Sequence, residues 1–430
     1  HIPAGYRVDT RVVDSRRTNP TLNTRGLKRQ RGDVETPDSI EVTDKPLPLT
    51  RSRANVLVDH YLQALMVEGV ESVRGIRRKR IQEDTSQFGP NTTAMADVLL
   101  PEQVREQIRR HNPKRLIVVP DGALHRLPLE ALVLSETPQP RYVLDEFPPI
   151  SYAPSAGVLA ALTSHAPSQP RGGKTLLTIG DPAYPQLDQS QEILTADNAA
   201  SGHFLGMRGQ IDRLPNTAAE SQRVADLFDG ARVTALRGDQ ATEANVLAAL
   251  PGQRFLHFAA HAFVDEQHGN LLGGILLTPP GDASEAEKYD GVLALNEIYT
   301  LPLNQCELAV LSACETNVGP NGTMEAGFSL ARAFFKAGVR RVVASHWTVE
   351  DESTSQLVGD FFQEMAEIAK SGQAVDYADA LQTTRRRVRN NPRWSHPFFW
   401  APFVLIGPAV DEPAGAAPLP GDGLGEFSHN

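Results

Sequence analysis

Two residues stand where chemistry would need them. Cys314 follows the apolar run Glu307-Leu-Ala-Val-Leu-Ser312, and His261 follows Arg254-Phe-Leu-His-Phe-Ala-Ala260. A thiol with its ordinary pKa of about 8.5 is mostly protonated at neutral pH, and an adjacent imidazole makes the thiolate available. In an open α/β sheet functional groups collect at the carboxyl ends of strands. If the two runs are neighbouring strands, both side chains reach one crevice. The plainer reading is that a cysteine after an apolar strand is a small core residue and a lone histidine a satisfied polar group. Spacing and topology alone leave both open.

Other arrangements are weaker. The histidine precedes the cysteine by 53 residues, the order and approximate spacing of caspases, although the caspase Gln-Ala-Cys pattern is absent. Cys306 opens the Cys314 strand at its amino end, the wrong end for chemistry, and is expected to be buried packing. His257 and His261 lie four apart, which suits zinc on a helix but not on a strand. No metal site is expected, and His257 is assigned to packing within the sheet. The glycines at 269–274 and 319–322 lack the strand-turn-helix setting of a phosphate loop.

The elements that must position this pair alternate regularly. Strands are expected at Arg115–Pro120, Lys174–Gly180, Arg232–Leu236, Arg254–Ala260, Glu307–Ser312, Arg340–Ser345 and Phe399–Ile406. Between them, helices are expected from Thr217, in a capping box with Glu220, to a stop at Gly230, and from Thr242 to Leu250. Further helices are expected at Met324–Ala337 with a stop at Gly338, Glu352–Ala369 and Gln373–Arg389. Earlier, helical spacing covers Ala54–Glu68 with a stop at Gly69, Pro101–His111 and Pro154–Leu162. Strands separated by helices of this length predict an α/β fold with a doubly wound parallel sheet. Ser164–Gly173 reads as a linker, residues 1–53 as irregular, and the Gly/Pro/Ala-rich tail from Pro408 as disordered.

Bulk composition narrows the classes. The 430 residues carry a net charge of -10, which argues against a general affinity for nucleic acid or anionic membranes. An Arg-rich stretch, Arg7 to Arg31, is the exception, and without interleaved aromatics it supports nucleic-acid binding only weakly. Two cysteines do not make a disulfide framework and fit a reducing, cytoplasmic setting. No apolar run reaches membrane-spanning length. The chain opens on His1 with no signal-peptide pattern and is expected to be a trimmed piece whose natural N-terminal context is missing.

Five segments in order carry a resemblance: Leu116-Ile-Val-Val-Pro-Asp-Gly-Ala-Leu-His125, Ser151-Tyr-Ala-Pro-Ser155, His257-Phe-Ala-Ala-His261, Leu311-Ser-Ala-Cys-Glu-Thr316 and Ala344-Ser-His-Trp-Thr-Val349. Over roughly residues 96–407 the chain resembles the CHAT domain of the caspase and separase group of cysteine peptidases (clan CD), often joined to tetratricopeptide repeats. The resemblance implies a caspase-like, mostly parallel sheet flanked by helices and preceded by a pseudo-protease-like α/β subdomain. The implied division is 1–95 polar and partly helical, 96–172 supporting, 173–407 catalytic, and 408–430 tail.

It also implies roles. The family histidine falls on His261 and the cysteine on Cys314, with oxyanion donors at the backbone N–H groups of Ala262 and Cys314. The family's glycine after the histidine is Ala262 here, and Asn317 replaces the glycine that follows the Ser-Ala-Cys-x-Thr motif. Acyl transfer through a Cys-His dyad is implied, with no metal or cofactor. Asp265 and Asp351 are candidates to orient the histidine, neither assigned. The loop with Trp347, Glu350 and Asp351 is where relatives wall the pocket for the residue before the cut; Asp351 alternatively caps the helix that follows. The implied partner is a protein or peptide substrate, with an activating partner or tetratricopeptide-repeat protein alongside, as in bacterial defence or regulated cell death. The alternatives are a silent CHAT scaffold, a hydrolase of small amides or thioesters, and an effector switched on through the Arg-rich arm.

Overall fold

The computed structural model describes residues 51–74, 92–164, 175–184, 213–228, 232–263, 273–281, 284, 288–312, 329–347 and 350–410. They divide into two units: the chain up to Asn112 with Leu132–Asp145, and Pro113–Ala131 with the chain from Glu146. The expected linker at Ser164–Gly173 lies almost wholly outside the described residues, as do most of the N-terminal region and the tail from residue 411.

The first unit holds helices Arg51–Arg74, Ala94–Leu99 and Glu102–His111, and a small hairpin of β2 (Val133–Ser135) and β3 (Arg141–Tyr142). The first helix runs through Gly69, where a stop was expected. An interior glycine costs only about 1 kcal/mol, too little to end a helix whose buried stripe of Leu57, Val58, Tyr61 and Leu65 is already set. Helix Glu102–His111 follows Pro101 and ends on Asn112 in the left-handed region (φ 42). Its buried Arg105 donates to Asp97 and to the Leu100 carbonyl, both at 2.6 Å.

The second unit is built on a sheet whose described strands number eight, in the order β1 (Leu116–Val118), β4 (Ile150–Tyr152), β13 (Phe403–Ile406), β12 (Val342–Ser345), β11 (Leu308–Ser312), β7 (Phe255–Ala259), β5 (Leu176–Pro182) and β6 (Val233–Gly238). From β12 to β6 every pairing is parallel, while β12 and β13 pair antiparallel and β13, β4 and β1 run parallel to one another. The expected mostly parallel α/β sheet is therefore present. Its central strands are buried along their whole length, as continuous apolar runs require when both faces are covered. Consecutive residues of β7 show the two covers. Phe258 packs on Phe334 of helix Ser329–Lys336 at 5.7 Å between ring centroids, and His257 packs on Phe362 of helix Asp351–Lys370 at 5.6 Å.

Two glycines set the spacing. A Cβ on Gly180 would lie 2.5 Å from the Thr217 carbonyl, so β5 and helix Pro215–Ala225 approach closely only with glycine there. Gly338 ends helix Ser329–Lys336 at φ +104, as the expected stop requires.

Three local expectations are corrected. Helix Pro215–Ala225 begins before Thr217, because Pro215 pre-sets its first turn. The Thr217 hydroxyl instead accepts from Asp181 N–H and donates to the Leu214 carbonyl. Glu350, not Asp351, caps the following helix by accepting from Ser353 N–H at 2.7 Å. Within Phe399–Ile406 only Phe403–Ile406 is strand; Pro397–Trp400 is a helical turn capped by His396. Thr242 caps helix Glu243–Ala249 as expected.

Buried charge ties distant segments of this unit together. Arg385, 1% exposed, donates to Glu130 and to the Phe403 carbonyl, and Glu130 also accepts from the Tyr152 hydroxyl at 2.6 Å. Burial, then the charge of Glu130 and its bond to the hydroxyl, push the Tyr152 phenol well above its usual range. Glu307 accepts from Arg254, Arg341 and Tyr377. Removing one partner of such a pair strands the other in a dry interior. Arg385→Leu is expected to lower stability by about 3–5 kcal/mol in urea unfolding, and adding Glu130→Leu to restore part of it.

Candidate active site

β7 and β11 are adjacent and parallel, with Phe255 opposite Leu308 and Ala259 opposite Ser312. His261 stands two residues beyond Ala259, at the carboxyl edge of the sheet, and is half-buried. Cys314 stands two residues beyond Ser312 in the sequence; it lies outside the described residues, as does Asp265. Cys306 is fully buried near the amino end of β11, its Sγ 3.4 Å from the Leu308 carbonyl.

The chain past His261 forms β8 (Ala262–Phe263), the edge of a small antiparallel sheet with β9 (Gly274–Leu276) and β10 (Val292–Ala294). Leu276 N–H donates to the His261 carbonyl at 2.8 Å. The backbone groups of His261 therefore face β9. Antiparallel pairing alternates, so those of Ala262, which sits opposite Ile275, face the other way. His261 N–H donates to the Tyr184 hydroxyl at 3.1 Å, and the Tyr184 and His261 rings lie 5.4 Å apart, tilted by 53°.

His257 is part of a buried polar relay. Its Nε2 lies 2.8 Å from Glu220, its Nδ1 lies 2.9 Å from the Thr178 hydroxyl, and Thr178 donates to Ser221. His257 and Glu220 are both fully buried. Thr178 and His257 are register partners on β5 and β7. One polar residue interrupting each of two apolar runs was the available sign of this pairing. Tyr184 carries a simpler signal, since it follows β5 at the same sheet edge as His261 follows β7.

Among the pocket candidates, Trp347 is 2% exposed, and its indole N–H donates to the Phe398 carbonyl at 3.1 Å. Beside it, His346 is buried, and burial with Arg385, His125 and Arg126 nearby drives its imidazole down to about 3, so it is neutral. Asp351 opens helix Asp351–Lys370, half-buried, and accepts from Asn216 N–H at 3.3 Å; burial raises its carboxyl above the usual range. No group of three or more His, Cys, Asp or Glu side chains able to hold a metal occurs among the described residues. Nor is any described helix long and apolar enough to cross a membrane.

A family model, the CHAT domain, matches residues 90–408. The chain belongs to the CHAT domain family. Human tetratricopeptide repeat protein 28 is 22% identical over 342 residues, a match covering 70% of this CHAT chain and 12% of that protein. The chain thus spans about a tenth of the length of the curated relatives it matches. Among solved structures, the Arg-specific cysteine proteinase gingipain R is 11% identical with a TM-score of 0.47, covering 81% of this chain and 73% of its own. Saccharomyces cerevisiae separase, in its complex with securin, is 15% identical with a TM-score of 0.41, covering 82% of this chain and 22% of its own.

In the CHAT chain the strands beside His261 are anchored by a carboxylate. Glu243, 2% exposed, accepts from the N–H groups of Asp290 and Gly291, both at 2.9 Å, and so fixes the turn entering β10. Burial, then the neighbouring Glu297 and Asp290, lift its carboxyl from 4.5 to about 7, against the pull of the two N–H groups. The folded chain therefore holds this proton where the unfolded chain has lost it. Stability falls as pH rises from about 4.5 to about 7 and stays lowered above that. Glu243→Gln is expected to flatten this part of the profile and raise the thermal midpoint at pH 8 relative to wild type, measured by calorimetry from pH 5 to 8.

Proposed function

We propose that this CHAT chain is a cysteine endopeptidase in which Cys314 is the nucleophile and His261 its general base. The observation that carries the reading is the register of β7 and β11: Ala259 and Ser312 are partners, and the histidine and cysteine each follow by two residues. That the two parallel strands end at one edge supports a histidine and a cysteine meeting there, where an imidazole and a thiol activate each other. Cys306, buried toward the other end of β11, has no such placement.

In the proposed reaction His261 takes the thiol proton and the Cys314 sulfur attacks the peptide carbonyl carbon. The resulting oxyanion is held by the N–H groups of Ala262 and Cys314; the alternation of β8, which turns Ala262 away from β9, supports the first. The C–N bond breaks as His261 passes its proton to the leaving amine. Water, deprotonated by His261, then cleaves the thioester and releases the new carboxyl end. Trp347 and Asp351 are the proposed wall of the pocket for the residue before the cut. Residues 96–172 are the proposed support for the catalytic part.

The substrate in this reading is a specific protein rather than bulk polypeptide, cut inside the cytoplasm in a regulated response such as bacterial defence. That one relative is named for tetratricopeptide repeats supports a helical-repeat partner or neighbour that presents the substrate.

The experiment is a peptide library read by mass spectrometry, with labelling by a thiol-directed probe alongside. Cys314→Ala is expected to abolish both cleavage and labelling, Cys306→Ala to leave both in place, and His261→Ala to lower kcat by about 10²–10⁴-fold. Cleavage that survives Cys314→Ala overturns the proposal. A wild-type chain that neither labels nor cleaves assigns the fold to a binding scaffold.

A further inference from the structure

Tyr184 ends a short segment braced at almost every residue. Asp181 takes up the left-handed region at φ 47, an uncommon conformation for a residue other than glycine. Its N–H donates to the Thr217 hydroxyl at 2.8 Å, and its carboxylate accepts from both Nε and a terminal nitrogen of Arg213. Ala183 N–H donates to the Thr278 hydroxyl at 2.9 Å, which in turn donates to the Gly238 carbonyl at 2.8 Å. The Tyr184 side chain, 5% exposed, is packed against Leu276, Val292 and Ala294 of β9 and β10.

The hydroxyl held this way occupies a ladder position. A hydrogen-bonded antiparallel pair exchanges two bonds, and His261 and Leu276 make only one directly, from Leu276 N–H to the His261 carbonyl. In place of the second, His261 N–H donates to the Tyr184 hydroxyl at 3.1 Å, and the hydroxyl donates to the Leu276 carbonyl at 3.2 Å. An inserted oxygen keeps the two backbone groups further apart than a direct bond of about 2.9 Å allows. β8 is thereby held off β9 at His261, with the tyrosine ring against the imidazole.

From this geometry we infer that Tyr184 is a positioning residue for His261, its hydroxyl acting as a spacer in the β8–β9 ladder that sets where the imidazole and the following N–H of Ala262 stand. The inference rests on the reading of His261 as general base. With the hydroxyl gone and the ring kept, the His261 N–H either closes directly on Leu276 or loses its partner, and in both cases the histidine shifts.

The test uses the full chain with labelled histidine side chains, in wild type and Tyr184→Phe. The His261 ring signal is identified in the proton–carbon spectrum by its loss in His261→Gln. Tyr184→Phe is expected to move that signal while the remaining histidines keep theirs, and to lower kcat at least tenfold with KM within twofold. A His261 signal that stays in place overturns the inference, and so does a moved signal with an unchanged kcat. If wild type cleaves nothing, the peptidase reading fails instead, and the spectrum still decides whether the spacer sets the histidine. Should Tyr184→Phe not fold, Thr278→Val loosens the same segment from outside and is expected to move the His261 signal in the same direction; an unmoved signal there overturns the inference.

Discussion

β7 and β11 lie side by side in the interior of the sheet, in register along five residues, and neither has a face open to water. A one-residue slip between them would turn Phe258 and the other large side chains of β7 toward the wrong cover. Helix Ser329–Lys336 on one side and helices Pro215–Ala225 and Asp351–Lys370 on the other therefore lock the register through packing. Register, in turn, decides which loop residues leave the sheet at the same height. The height at which the chain leaves β7 toward His261, and leaves β11 at Ser312, is thus a consequence of packing along the interior of both strands.

Polar groups inside this core make the same constraint stricter. His257 meets Glu220 and Thr178 only if β5, β7 and helix Pro215–Ala225 are aligned as they are. Glu307 collects Arg254, Arg341 and Tyr377 from three separate stretches of chain. Any alternative packing leaves buried donors or acceptors unpaired, which is expensive in a dry interior. The wrong registers are penalised twice, by shape and by unsatisfied polarity.

Much of this was legible because fully buried parallel strands are written as unbroken apolar runs. Leu-Ala-Val-Leu before Ser312 and Phe-Leu-His-Phe-Ala before Ala260 announced the strands and, with them, the edge where His261 emerges. Direction was not legible: nothing within Phe403–Ile406 says that it runs against β12, since a four-residue apolar strand reads the same in either sense. Thr217 misled because a capping box is a local pattern, and its hydroxyl and Glu220 were recruited by Asp181 and His257, partners distant in sequence. The place of Tyr184 after β5 is legible, but the part its hydroxyl plays is not, since that matters only once β8 and β9 have been brought together.

The place of β13 bears on how the chain can be made. It is the last described strand in sequence, yet it sits between β12 and β4, and β4 in turn carries β1. During synthesis β1 and β4 emerge first, from residues 116–152, and have no route into the sheet until Phe403–Ile406 has left the ribosome. For about 250 residues of elongation they wait with apolar side chains such as Ile150 and Tyr152 unburied. Among the described strands the sheet thus closes with β13, and a nascent chain cut short between Cys314 and β13 carries both His261 and Cys314 on a half-built scaffold.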